Sequence, residues 1–154
     1  MITAKIQRQE INRIAQMARK FNAVAKAAAA KELARSAYKI DADAKRNAQR
    51  NITNVAALVG LITTEPVGSD DLTWVNRSGA KYSAYIEFGT GKTVDLSHLV
   101  RAGFPASWAM QFKGKGIKKL NLQPRPFLFP AINAEQPKLK TRLIKTLKQN
   151  AKKF

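Results

Sequence analysis

From Gln7 to about Asn51 the chain contains neither proline nor glycine and is rich in alanine, so nothing in it stops a helix once started. Apolar positions Ile11, Ile14, Ala18, Phe21, Ala25 and Ala28 step by three and four and form one stripe. A second stripe, Leu33, Ala37, Ile40 and Ala44, begins five residues after Ala28, so the phase slips near Ala28–Glu32. An unbroken helix over this stretch would be about 65 Å long at 1.5 Å per residue. A domain of 154 residues has a radius of gyration of only about 15 Å. The helix must therefore bend, fold back as a hairpin, or send its first half out of the body onto another subunit.

The rest of the chain is patterned differently. Asn54 to Thr64 is apolar and β-branched, Glu65 to Asp71 reads as an acidic Pro/Gly loop, and Leu72–Asn76 resumes the apolar pattern. Two antiparallel strands joined by that loop are expected, and so small a sheet needs helix packing to persist. After Pro126 the sequence turns helical again. Pro126 and Pro130 suit the flanks of a helix start, Pro137 marks a break or second start, and Leu139, Leu143, Ile144 and Leu147 form a stripe. The expected fold is one α+β domain over 1–154. It comprises a long N-terminal helix (bent or a hairpin, 1–51), a small antiparallel sheet and short central helix (52–91), an inserted loop (92–124) and a C-terminal helix (125–154).

Composition narrows the function. The absence of cysteine removes disulfides and thiolate metal sites, and no segment approaches the ~20 apolar residues of a membrane span. The start, Met1 to Lys5, lacks the apolar run of a secretory signal. One histidine and ten acids offer little for a nucleophile–base pair or a metal cluster, so neither enzyme chemistry nor a cofactor is expected. Asp70-Asp71 reads as a solvated turn, and Ser97-His98 near Asp95 is a chance proximity. Gly91-Lys92-Thr93 lacks the first glycine of a phosphate loop, because Ile86 stands in its place.

Net charge is +18, unevenly distributed. Residues 1–50 hold 12 basic and 4 acidic side chains, residues 51–95 hold 3 and 5, and residues 96–154 hold 13 and 1. Such a tail region calls for a polyanion or an acidic partner, the plainer alternative being a solvated basic surface. Within the 92–124 loop, Trp108 and Phe112 precede Lys113, Lys115, Lys118 and Lys119, a pattern suited to phosphate contact without sequence readout. Long loops of this kind are usually functional or disordered. This one is expected to meet other components, with deletion of Ala106 to Lys119 expected to leave the subunit folded and with Leu96 to Met110 a candidate short helix.

The most distinctive stretch is Tyr82-Ser83-Ala84-Tyr85-Ile86-Glu87-Phe88-Gly89-Thr90-Gly91. A strand would put Tyr82, Ala84, Ile86 and Phe88 on one face. A short helix, with Ser83 as N-cap and Gly89 as the residue that ends it, is preferred. Glu87 lies between apolar neighbours, where an unpaired carboxylate is costly. Its partner is either a cation of another subunit or a cap or pair within its own chain.

This stretch, with Arg125-Pro126-Phe127-Leu128-Phe129-Pro130-Ala131-Ile132 downstream and Ala44-Lys45-Arg46 upstream, resembles the signature pair of a bacteriophage family. The family comprises the tail-component, tail-completion or neck proteins of long-tailed phages. The likeness spans roughly residues 35 to 150, and its specific part is about twenty residues. It implies a virion protein of the neck or tail, present in host cytoplasm during assembly, that forms a homo-oligomeric ring (hexamer favoured over dodecamer). Implied neighbours are neck, connector or tail-tube proteins. In such a ring the basic loop would either line the DNA channel through phosphate contacts or grip an acidic neighbouring ring, and no membrane is expected. Tyr82, Tyr85, Glu87, Phe88, Gly89, Thr90, Pro126, Phe127 and Pro130 would serve the core or the oligomer. Composition alone suggests a different class, a cellular nucleic-acid-binding protein. The two signatures, and the lack of any helix-turn-helix, zinc or stacking-sheet motif, favour the virion reading.

Overall fold

The first helix, α1 (Arg8–Asn51), runs for 44 residues without interruption. The structure is a computed structural model that describes residues 8–112 and 121–153, without the side chains of residues 8–11. The hairpin expected as one outcome of the phase slip is absent. Ala27 to Lys31 are good helix formers, and a change of stripe phase breaks no backbone hydrogen bond. The projecting arm is the outcome observed. No residue from Asn12 to Lys31 is buried, and burial begins at Ser36.

After α1 come a short helix α2 (Ala56–Gly60), strands β1 (Ile62–Val67) and β2 (Thr73–Ser78), α3 (Ser83–Phe88), α4 (Ser97–Arg101) and α5 (Leu128–Ala151). The two strands form an antiparallel pair in which Ile62 faces Ser78 and Val67 faces Thr73. This corrects the expected boundaries. Residues 56–60 are helical, and Glu65-Pro66-Val67 belongs to the strand rather than to the turn. Pro66 is tolerated because each strand of a two-stranded sheet is an edge, where a missing N–H need not break a ladder. The sheet is held to α1 by Asn76, whose amide donates to the Ala37 carbonyl at 2.9 Å, and by Tyr38 packed edge-on to Trp74.

Helix α5 runs antiparallel to α1. Asn47 donates to the Phe127 carbonyl at 3.1 Å, and further along Ser36 donates to Glu135 at 2.9 Å. The break expected at Pro137 does not occur, and the helix passes through it. An interior proline costs ~3 kcal/mol, but Pro137 sits on the exposed side, and α5 is anchored to α1 on either side of it. Those anchors form one buried polar seam. Arg142 donates Nη2 to Glu135 at 2.5 Å and Nε to Glu32 at 3.0 Å, and Glu135 is only 3% exposed.

Two apolar clusters result. The first joins Ala44, Ala48, Leu58, Ile62, Ala80, Phe127 and Ala131. The second joins Phe88, Leu96, Leu99 and Ala109, with Phe104, Phe112 and Phe129 packed on it. This second cluster shows that 92–124, expected as an inserted loop, contributes to the core, and Ala109 of the segment expected to be removable is part of it. Part of the stretch is core, because seven of its apolar residues pack with Phe88 and Phe129.

The seam gives a test. Arg142→Met leaves Glu135 buried without its cation and is expected to cost about 3 kcal/mol. Glu135→Leu combined with Arg142→Met should recover most of that loss, as measured by urea unfolding.

Candidate functional site

The site is the junction of the two distinctive stretches. Helix α3 places Ile86 against the first apolar cluster and Phe88 in the second, which leaves Glu87 between them, 5% exposed. Its Oε2 accepts the backbone N–H groups of Phe127 and Leu128, and its Oε1 accepts that of Phe129, each at 2.9 Å. These are the first N–H groups of α5. A helix start leaves four such donors without intrahelical partners, and here the fourth position is Pro130, which has none to offer. Glu87 and Pro130 together satisfy the whole first turn, and the carboxylate also lies at the positive end of the helix dipole. Of the two partners open to Glu87, the intrachain cap is the one the structure adopts.

The chain on either side of Glu87 is tied to the segment before α5. Arg125 donates its N–H to the Ile86 carbonyl at 2.7 Å, and Thr90 donates to the Leu122 carbonyl at 3.0 Å. Leu122 returns its own N–H to the Thr90 hydroxyl at 3.0 Å. Gly89 makes this approach possible. It ends α3 at φ 74°, ψ −171°, a conformation essentially confined to glycine, and an added Cβ would stand 2.6 Å from the Leu122 carbonyl oxygen. Ser83, expected as the N-cap of α3, makes no cap. It lies inside the helix, which begins after Tyr82 without a side-chain cap bond.

The remaining residues divide by exposure. Phe127 is 1% exposed and Thr90 2%, while Pro126 and Pro130 are half-buried. Tyr82 and Tyr85 lie towards solvent at 44% and 36%, and Tyr85 packs edge-on to Phe112 with ring centres 5.2 Å apart. Trp108 is 62% exposed and leans on Phe104. Phe112, expected at a wet partner-binding surface, is half-buried in the second cluster. Lys113, Lys115, Lys118 and Lys119 lie outside the described residues.

A cavity of ≈ 180 Å³ opens beside Glu87, lined by Ser78, Ser83, Ala84 and the three phenylalanines 88, 127 and 129 among others. Both carboxylate oxygens are already engaged, so the site is built to hold a helix. Burial pushes the Glu87 carboxyl above its ordinary value, while the three N–H groups pull the other way without overcoming it. Asp95 moves down because it accepts the Ser97 N–H, at 2.8 Å. Among the described residues no cluster of three metal-ligating side chains occurs, and no helix is long and apolar enough to cross a membrane.

Sequence reasoning missed the seam around Arg142 and the partnership of Leu122 with Thr90. Glu32 and Ser36 lie more than a hundred positions from Arg142, and Leu122 lies 32 from Thr90, so neither arrangement has a local signal. Comparison with protein-family models, with curated proteins and with solved structures finds no match to this chain.

Two variants probe the junction. Glu87→Ala strands three donors and is expected to cost about 3 kcal/mol, at 1–3 kcal/mol for each buried group left unmet. Glu87→Gln, which turns an amide NH2 towards one donor, should cost less. A raised folded-state value means the native protein holds this proton more tightly than the unfolded chain. The margin of wild type over Glu87→Gln should therefore narrow as pH rises from about 4.5 through the folded value. Denaturant titrations across that window measure it. Gly89→Ala should lose about 3 kcal/mol, seen as a lower denaturation midpoint.

Proposed function

We propose that the protein is a structural subunit of a phage neck or tail top, which assembles into a homo-oligomeric ring and joins head to tail. The observation that carries this reading is the physical union of the two stretches on which the resemblance rests. Glu87 of the first caps the helix that the second begins, so they form one device. That gives a physical reason for a chain to carry both. A catalytic role for Glu87 is disfavoured by the same contacts, in which both of its oxygens already accept backbone N–H groups.

The form of α1 supports assembly. Its 44 residues span about 66 Å at the helical rise. Helix α5 ends nine residues past Arg142, so it covers α1 only to about residue 23. Beyond that point Ile14 is 65% and Met17 41% exposed, with Val24 at 39% just inside. Their spacing of three and seven puts them on one side of the helix. An apolar stripe on a projecting arm is stabilised when a neighbouring copy covers it, and repetition of such a contact around an axis closes a ring.

Light scattering and negative-stain microscopy test the reading. Wild type should form rings, with a hexamer the favoured size, and Met17→Glu should dissociate them while leaving the unfolding midpoint of the body unchanged. A wild-type protein that stays monomeric at high concentration and neither enters nor completes phage particles would overturn it.

A further inference from the structure

One side of the α1/α5 pair carries charge that packing does not explain. Lys138 and Lys145 of α5 and Lys152 at its C-cap recur every seven residues, so they stand in a row about 10.5 Å apart, with Lys148 beside them. Arg35 of α1 lines an open cleft together with Lys138 and Arg142, which puts the α1 cations on the same side as that row, and Lys31 follows one turn further out. All six of these lysines and arginines other than Arg142 are exposed. No acid occurs in residues 12–31 or 136–153. The two acids nearest the cleft, Glu32 and Glu135, are turned onto Arg142. Among the described residues Lys31, Arg35, Lys138, Lys145, Lys148 and Lys152 therefore have no ion-pair partner.

We propose that this face binds the phosphate backbone of nucleic acid without reading its sequence. Lysine is a compact, strongly hydrated point charge suited to phosphate. A spacing near the Debye length of about 8 Å lets neighbouring cations tolerate one another while their potentials add. The positions between the lysines of the row on that side are the polar Thr141, Arg142 and Gln149, with the exposed Tyr38 of the cleft and Ile144 beside them. Protein interfaces, by contrast, are centred on apolar and aromatic residues and depleted in lysine. An acidic protein is thus the poorer fit. The inference stands apart from the ring reading, because a free subunit would present the same face.

Fluorescence anisotropy of a short labelled duplex, titrated at increasing salt, tests it. Binding should be indifferent to duplex sequence and fall steeply with salt. Lys138→Gln/Lys145→Gln/Lys152→Gln should weaken binding roughly tenfold or more near 0.1 M salt and flatten the logarithmic salt slope by about 3. A control triple, Lys81→Gln/Lys92→Gln/Arg101→Gln, removes the same charge from exposed positions elsewhere and should change affinity about twofold at most. Circular dichroism checks that both triples stay folded. Equal losses in the two triples would reduce the effect to net charge and overturn the site. Poly-L-glutamate competing as well as unlabelled DNA would overturn it in favour of an acidic protein.

Discussion

Burying a carboxylate is costly unless its oxygens are met by donors, and the body of this protein is arranged so that those of Glu87 are. The three donors are the opening N–H groups of α5, spaced by the helix itself. For Glu87 to reach them, α3 must lie across the start of α5, and the chain must then turn away at Gly89 without a side chain in the way. The residues on either side follow from that placement. Ile86 and Phe127 fall to one apolar cluster, Phe88 and Phe129 to the other. One hydrogen-bonded contact thereby orients two cores and the N-terminal end of a 24-residue helix.

The middle of that helix is held differently. Glu135, Arg142, Ser36 and Glu32 form a polar seam where two long helices meet. A seam of small and polar residues lets the helices lie close but offers little apolar burial, so directional contacts set their register. It also absorbs the acids of this region. The outward lysines are left unneutralised, and the same contacts that register the helices leave one side of the pair positive. Past the reach of α5, Ile14 and Met17 of α1 stand exposed. The body is complete by itself, whereas the arm presents an unfinished surface.

Much of the fold was legible locally. A proline- and glycine-free stretch reads as helix because the backbone has no reason to stop, and its length against the expected domain radius already required an arm, a bend or a hairpin. Gly89 as the end of α3 was readable from residue type. The errors share one cause. Residues 56–60 fall in a stretch read as strand yet form a helix, Pro137 looks like a break yet is passed through, and 92–124 looks inserted yet supplies Leu96, Leu99 and Ala109 to a core. In each case tertiary packing outweighed a local preference worth at most a few kcal/mol.

The site was half visible. The sequence shows that Glu87 sits among apolar residues and needs a partner, because that follows from the cost of burying charge. It cannot show which partner, since Phe127 lies 40 positions away and backbone N–H groups carry no signature in residue type. The same holds for charge. Residue types alone determined that the protein is strongly basic and opens on a long helix. Only the tertiary structure decided which cations are spent on Glu32 and Glu135 and which stand free in a row, because pairing depends on which helix faces lie together in space.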